Sequence, residues 1–95
     1  MAIQVQQEAS ASKGRYFVEE KGKILAEMTY SVAGSDKIII DHTDVDDSLR
    51  GKGVGQQMVK QAVDDARENN IKILPLCPFA KSQFDKHPEY ADVLV

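Results

Sequence analysis

The segment that most narrows the possible folds is Arg50-Gly51-Lys52-Gly53-Val54-Gly55, because the hydrophobic period changes across it. Before it, Lys37 to Val45 begins with Ile38-Ile39-Ile40, a run that predicts a strand buried on both faces. After it, Val54, Met58, Val59, Ala62, Val63 and Ala66 recur at helical spacing, and Asn69-Asn70 supplies a C-terminal stop. Ile71 to Leu76 then reads as a short buried strand. With a helix between them, these two strands are expected to lie parallel through a crossover. Pro78 suits the first turn of a second helix, which runs to about Lys86 before His87-Pro88 ends it.

The first half reads as antiparallel strands. Ile3 to Glu8 alternates apolar and polar up to the small polar run Ser10 to Gly14. Arg15 to Glu20 follows, then the turn signal Lys21-Gly22-Lys23, then Ile24 to Val32 and a turn at Ala33-Gly34-Ser35-Asp36. The expected order is β-β-β-β-α-β-α, an α+β fold with a mixed sheet, and 95 residues leave room for a single domain over 1–95. A net charge of −3 argues against nucleic acid as a bulk electrostatic partner. No apolar stretch approaches the roughly 18 residues of a membrane span, and Met1 to Val5 lacks the features of a secretory leader. One cysteine allows no intrachain disulfide, so a reducing, cytoplasmic setting is expected.

A glycine-rich turn that opens a helix presents unpaired main-chain N–H groups, and the helix dipole adds roughly 0.3–1 kcal/mol for an anion there. Glycines at alternate positions let a backbone curl around a phosphate, and Arg50 and Lys52 are charged partners for one. A Walker loop requires Ser or Thr after the lysine, and a Rossmann turn requires the spacing G-x-G-x-x-G; neither fits. On spacing alone a merely flexible turn is the other reading.

The segment Val45 to Gly55 resembles the signature of the GNAT superfamily of N-acetyltransferases, in which a strand leads into Q/R-x-x-G-x-G/A. Arg50, Gly53 and Gly55 fall on its fixed positions, and Val45 matches the apolar residue five before the arginine. The resemblance implies acetyl-CoA as cofactor, its pyrophosphate held by Arg50, Gly51, Lys52, Gly53, Val54 and Gly55. It also implies a pantetheine arm that pairs with the strand end at Thr43, Asp44 and Val45. Downstream, where the family carries Asn, Ala and Tyr, this chain has Cys77, Ala80 and Phe84. In many relatives that Tyr protonates the departing thiolate, and Phe84 has no proton to give. The resemblance covers about Lys37 to Phe84. The chain also resembles a small bacterial subgroup that carries His42-Thr43-Asp44-Val45, Cys77-Pro78-Phe79 and later His87 and Tyr90 at matching positions.

Acetyl transfer to an amine needs a base for the amine and an acid for the thiolate. His42 is the candidate base: alternation puts Ile38, Ile40, His42 and Asp44 on one face, so His42 is expected to point as Ile40 does. Cys77 is expected at the N-cap of the second helix, where a thiol pKa falls. It stands as acid, as acceptor of the acetyl group, or as a buried structural thiol, and is expected to lie near His42. Tyr90 is a weaker source of the missing hydroxyl, His87 a weaker catalytic candidate, and Lys60 a candidate for the outer phosphate. Asp44, Asp46 and Asp47 read either as attracting a cationic amine to the cleft mouth or as solvated loop charge. Cys77 and His87 do not make a zinc site. Only about Ala9 to Gly14 joins the first two strands, where most of the superfamily inserts helices that shape the acceptor pocket. The resemblance thus implies an open acceptor side, compatible with an exposed protein lysine or a partner chain, and equally with no physiological acceptor. Transfer is the first function, acetyl-CoA sensing without transfer the second, and a small interaction domain with a coincidental turn the third.

Overall fold

The structure is a computed structural model that describes residues 4–95. Strands β1 (Gln6–Ala9), β2 (Lys13–Glu20), β3 (Lys23–Val32), β4 (Lys37–Val45) and β5 (Lys72–Pro75) form one sheet in sequence order. The pairings are antiparallel from β1 to β4 and parallel between β4 and β5. Helix α1 (Val54–Asn69) makes the crossover, and α2 (Pro78–Lys86) follows β5. The expected element order is therefore the observed one. The first expected strand begins at Ile3, which lies outside the described residues; the described strand begins at Gln6.

The core forms on one face of the sheet because alternate residues of each strand are apolar there. Tyr16 and Val18, Ala26, Met28 and Tyr30, Ile38 and Ile40, and Ile73 join the buried stripe of α1 and Ala80 and Phe84 of α2 in one cluster. The stripe of α1 consists of the six residues whose spacing predicts it, together with Gly55. Ile39 is only half-buried, so the triple-isoleucine run does not have two covered faces as expected. Both helices lie over Ile38 and Ile40, and Ile39 faces the other way. Tyr16 ties β2 to α1: its hydroxyl donates to Asp65 Oδ2 at 2.8 Å. Burial first, and Asp65 second, push that phenol well above its ordinary range.

Strand β4 carries a bulge that decides the site. Thr29 is opposite His42 while Tyr30 is opposite Ile40, so Asp41 has no partner across the ladder. The side-chain phase therefore slips by one after Ile40. Thr43 lies opposite Met28 and Val45 opposite Ala26, on the core face; His42 and Asp44 lie opposite Thr29 and Glu27, on the other. The expectation that His42 points as Ile40 does is corrected by this bulge.

After α2 the chain forms a 3-10 turn, Pro88–Val93, and then returns to the sheet. Leu94 bridges Ile73 and Val95 N donates to Ile73 O at 3.0 Å. Arg67 of α1 grips Asp92 with Nε to Oδ2 and Nη2 to Oδ1, both at 2.9 Å. No helix among the described residues is long and apolar enough to cross a membrane.

Candidate functional site

The glycine turn is built by local hydrogen bonds on a buried anchor. Asp46 caps the short 3-10 turn Asp47–Leu49 by accepting from Ser48 N at 3.0 Å; the Ser48 hydroxyl first, and this amide second, hold the Asp46 carboxyl below the ordinary carboxylate range. Leu49 is buried and pins this turn to the core. The chain then passes through Gly51 at φ 80° and Gly53 at φ 70°, a region that only glycine visits without strain. Gly53 is the N-cap of α1 and brings no side chain to the helix amides. The helical ladder begins with Gln57 N donating to Gly53 O at 3.0 Å, so the amides of Val54, Gly55 and Gln56 have no partner within the helix.

These amides face a cleft of about 450 Å³ bordered by Val45, Arg50, Gly51, Gly53, Gly55 and Phe79. A Cβ at Gly51 would meet nothing within 4 Å, and one at Gly53 only Gln56 Oε1 at 3.7 Å. The concave backbone thus lies open, and its donor set fits a phosphate group. Gly55 differs from the other two glycines. A Cβ there would come within 2.6 Å of Phe79 Cζ, so its bareness serves contact between the starts of α1 and α2. Arg50 is exposed, with Nε 2.9 Å from Asp47 Oδ1, and Lys52 is exposed. Lys60 pairs with Asp64 at 3.0 Å on the surface of α1.

Strands β4 and β5 part beside this turn. Their pairing runs from Lys37↔Lys72 to Ile40↔Pro75 and stops. Leu76 N and Cys77 N both then reach Ile40 O, each at 3.1 Å. Strand β4 continues to Val45 against β3 alone, and Asp46 N donates to Leu25 O of β3 at 2.7 Å. By alternation from Asp46, the main-chain groups of Thr43 and Val45 turn to the side that β5 has left. A fork opens there between β4 and β5; Val45 borders the cleft of the glycine turn, whereas Thr43 and Cys77 do not, and the Thr43 amide is directed to the Cys77 sulfur.

Cys77 is the N-cap of α2, as its position before Pro78 predicts. It is buried, and its Sγ lies 3.4 Å from Thr43 Oγ1. Burial alone would raise the thiol pKa. The Thr43 hydroxyl, with the main-chain amides of Ala80, Phe79 and Thr43, outweighs burial and leaves the thiol below its ordinary value. No capping hydrogen bond of standard geometry joins Sγ to α2, so the hydroxyl is the defined side-chain contact.

The expected pairing of His42 with Cys77 does not form; Thr43 takes that place, and His42 is exposed on the sheet's other face. There the neighbouring acids Glu27 and Asp44 sit directly opposite each other, and Arg15 Nη1 bonds Glu27 Oε2 at 2.6 Å. Tyr90 and His87 stack at 4.9 Å, and Phe84 meets Tyr90 edge-on at 5.8 Å. None of these three borders the cleft. No cluster of three or more metal-ligating side chains exists among the described residues. The Thr43–Cys77 contact is the part that alternation misses. Its signal is the parity change from Ile40 to Val45 across four consecutive polar residues, Asp41 to Asp44.

Comparison with known proteins identifies the family and the fold. The model of the GCN5-related N-acetyl-transferase family matches residues 15–93. The solution structure of a GCN5-like protein from Staphylococcus aureus is 38% identical, with a TM-score of 0.73, covering 95% of this chain and 87% of that one. The ribosomal-protein-S18-alanine N-acetyltransferase of Escherichia coli shares the fold at 12% identity and a TM-score of 0.65, over 82% of this chain and 53% of its own. A Clostridium acetobutylicum structure with acetyl-CoA shares it at 21% identity and a TM-score of 0.62, over 79% and 56%. Protein NATD1 of Xenopus tropicalis is 27% identical over 63 residues, 66% of this chain and 58% of that protein. The match thus spans little more than half of NATD1's length.

Proposed function

The chain belongs to the GCN5-related N-acetyltransferase family, and from that premise we propose that it takes acetyl-CoA as donor and moves the acetyl group to an amine, with an exposed protein lysine as the acceptor class. The observation that carries this reading is the fork: β4 and β5 part after Ile40 and Pro75, and β4 runs on from there to the glycine turn with no β5 partner.

Acetyl-CoA supplies an acetyl group activated as a thioester. The residues of this chain divide the remaining work. Gly51, Gly53 and the amides of Val54, Gly55 and Gln56 hold the pyrophosphate, with Arg50 and Lys52 as cations. Thr43 and Val45, with Asp44 between them, offer main-chain groups to the amide-bearing arm. Cys77 stands buried beside Thr43 where β4 and β5 part, near the position of the thioester, as acceptor of the acetyl group or as proton donor to the leaving thiolate. His42, on the face the helices leave uncovered, takes the proton of an amine that approaches from that side. The link between β1 and β2 is only Ser10 to Ser12, so no helix walls that approach.

Intact mass after incubation with acetyl-CoA tests the reading. A one-to-one complex under native conditions is expected, and an added acetyl group that survives denaturation in the wild type but not in Cys77→Ala. A complex with no retained acetyl group in either protein supports direct transfer or sensing instead. Absence of any complex at excess donor overturns the proposal.

A further inference from the structure

We propose that Thr43 is the positioning residue for Cys77: its hydroxyl accepts a hydrogen bond from the Cys77 thiol and holds that sulfur at the fork between β4 and β5. This deepens the donor-site reading and rests on it for its role in transfer, though the contact itself is a property of the chain alone.

Three observations support it. The bulge at Asp41 is what turns Thr43 onto the core face; an unbroken ladder would present His42 there. The Oγ1–Sγ separation of 3.4 Å lies within hydrogen-bonding range for sulfur and joins two elements 34 residues apart in sequence. Cys77 is 4% exposed, so water competes poorly for its sulfur. The groups that act on this sulfur are the Thr43 hydroxyl and amide from β4 and the Phe79 and Ala80 amides from α2, and none carries a net charge. With no cation beside it, the thiolate depends on hydrogen bonds, and the hydroxyl is the only side chain among these groups. A hydroxyl also rotates, so it can accept from the thiol and donate to the thiolate without backbone movement.

The test is a pH titration of thiolate ultraviolet absorbance without donor, using Cys77→Ser as the baseline. The chain's single cysteine makes the difference signal specific. Thr43→Val keeps the shape and removes the hydroxyl; its midpoint is expected to rise by about 1 pH unit, the size of one hydrogen bond to a charged group. Thr43→Ser restores the hydroxyl and is expected to return the midpoint to the wild-type value. If Thr43→Val does not fold, as judged by circular dichroism, Thr43→Ala takes its place with the same expectation. Equal midpoints with and without the hydroxyl overturn the proposal, as does a Thr43→Ser midpoint that follows Thr43→Val. Because no donor is present, failure here is distinct from failure of the wild type to bind acetyl-CoA.

Discussion

Gly55 of α1 lies so close to Phe79 of α2 that a Cβ on the glycine would fall 2.6 Å from the ring's Cζ. The two helix starts are thus locked edge to edge at the floor of the cleft, and the third glycine of the turn is a packing residue. Gly55→Ala should cost about 1–3 kcal/mol in urea unfolding through overpacking. In a Phe79→Ala background the same change should cost less than about 0.5 kcal/mol. Equal costs in both backgrounds would contradict the contact.

Arg50 is held by Asp47 at 2.9 Å on the surface of the turn, where a phosphate would compete for it. Asp47→Asn should release Arg50 and tighten acetyl-CoA by about two- to fivefold, in line with an exposed ion pair. Arg50→Ala should weaken binding about tenfold and abolish the gain from Asp47→Asn. Calorimetric titration of the four proteins checks this.

Much of this architecture is legible in the sequence, for specific reasons. The stripe from Val54 to Ala66 and the stop at Asn69-Asn70 define α1, whose observed bounds are Val54–Asn69. Pro78 and His87-Pro88 likewise bracket α2. The glycine turn is legible as a helix start because its neighbours announce a strand before it and a helix after it. The direction of His42 is not legible from alternation, because a bulge inserts one unpaired residue, Asp41, and reverses every face beyond it. The docking of Leu94 and Val95 on β5 is equally hidden, since two apolar residues carry no period. The role of Gly55 depends on Phe79, 24 positions away, and no local pattern links them.

Tyr16 should give the fold an alkaline weakness. Its phenol pKa is raised in the folded chain, so its contribution to stability is fully present below the ordinary tyrosine value of 10.0 and is lost as pH rises beyond it. Wild-type stability in urea should therefore fall above that value. Tyr16→Phe should be less stable below it by about 0.5–1.5 kcal/mol, for the lost bond to Asp65, and should show a flatter alkaline decline. Parallel declines in the two proteins would contradict this.

His42 stands on the uncovered face, beyond the bulge, where it can act on an acceptor without touching the cleft. His42→Gln should slow acetyl transfer to an amine by about 10²-fold at saturating donor, with donor affinity unchanged. A comparable loss of donor affinity would place His42 in the cleft instead.

The central claim, that the donor lies along the fork from the glycine turn to Cys77, is tested most directly by amide chemical shifts. The ¹⁵N-labelled chain should be titrated with coenzyme A and with acetyl-CoA. Shifts concentrated at Thr43, Val45, Gly51, Gly53 and Gly55 are predicted for both ligands, with Cys77 responding further to the acetyl group and β1 remaining still. Shifts that avoid the glycine turn, or that gather on β1 and β2, would contradict the account.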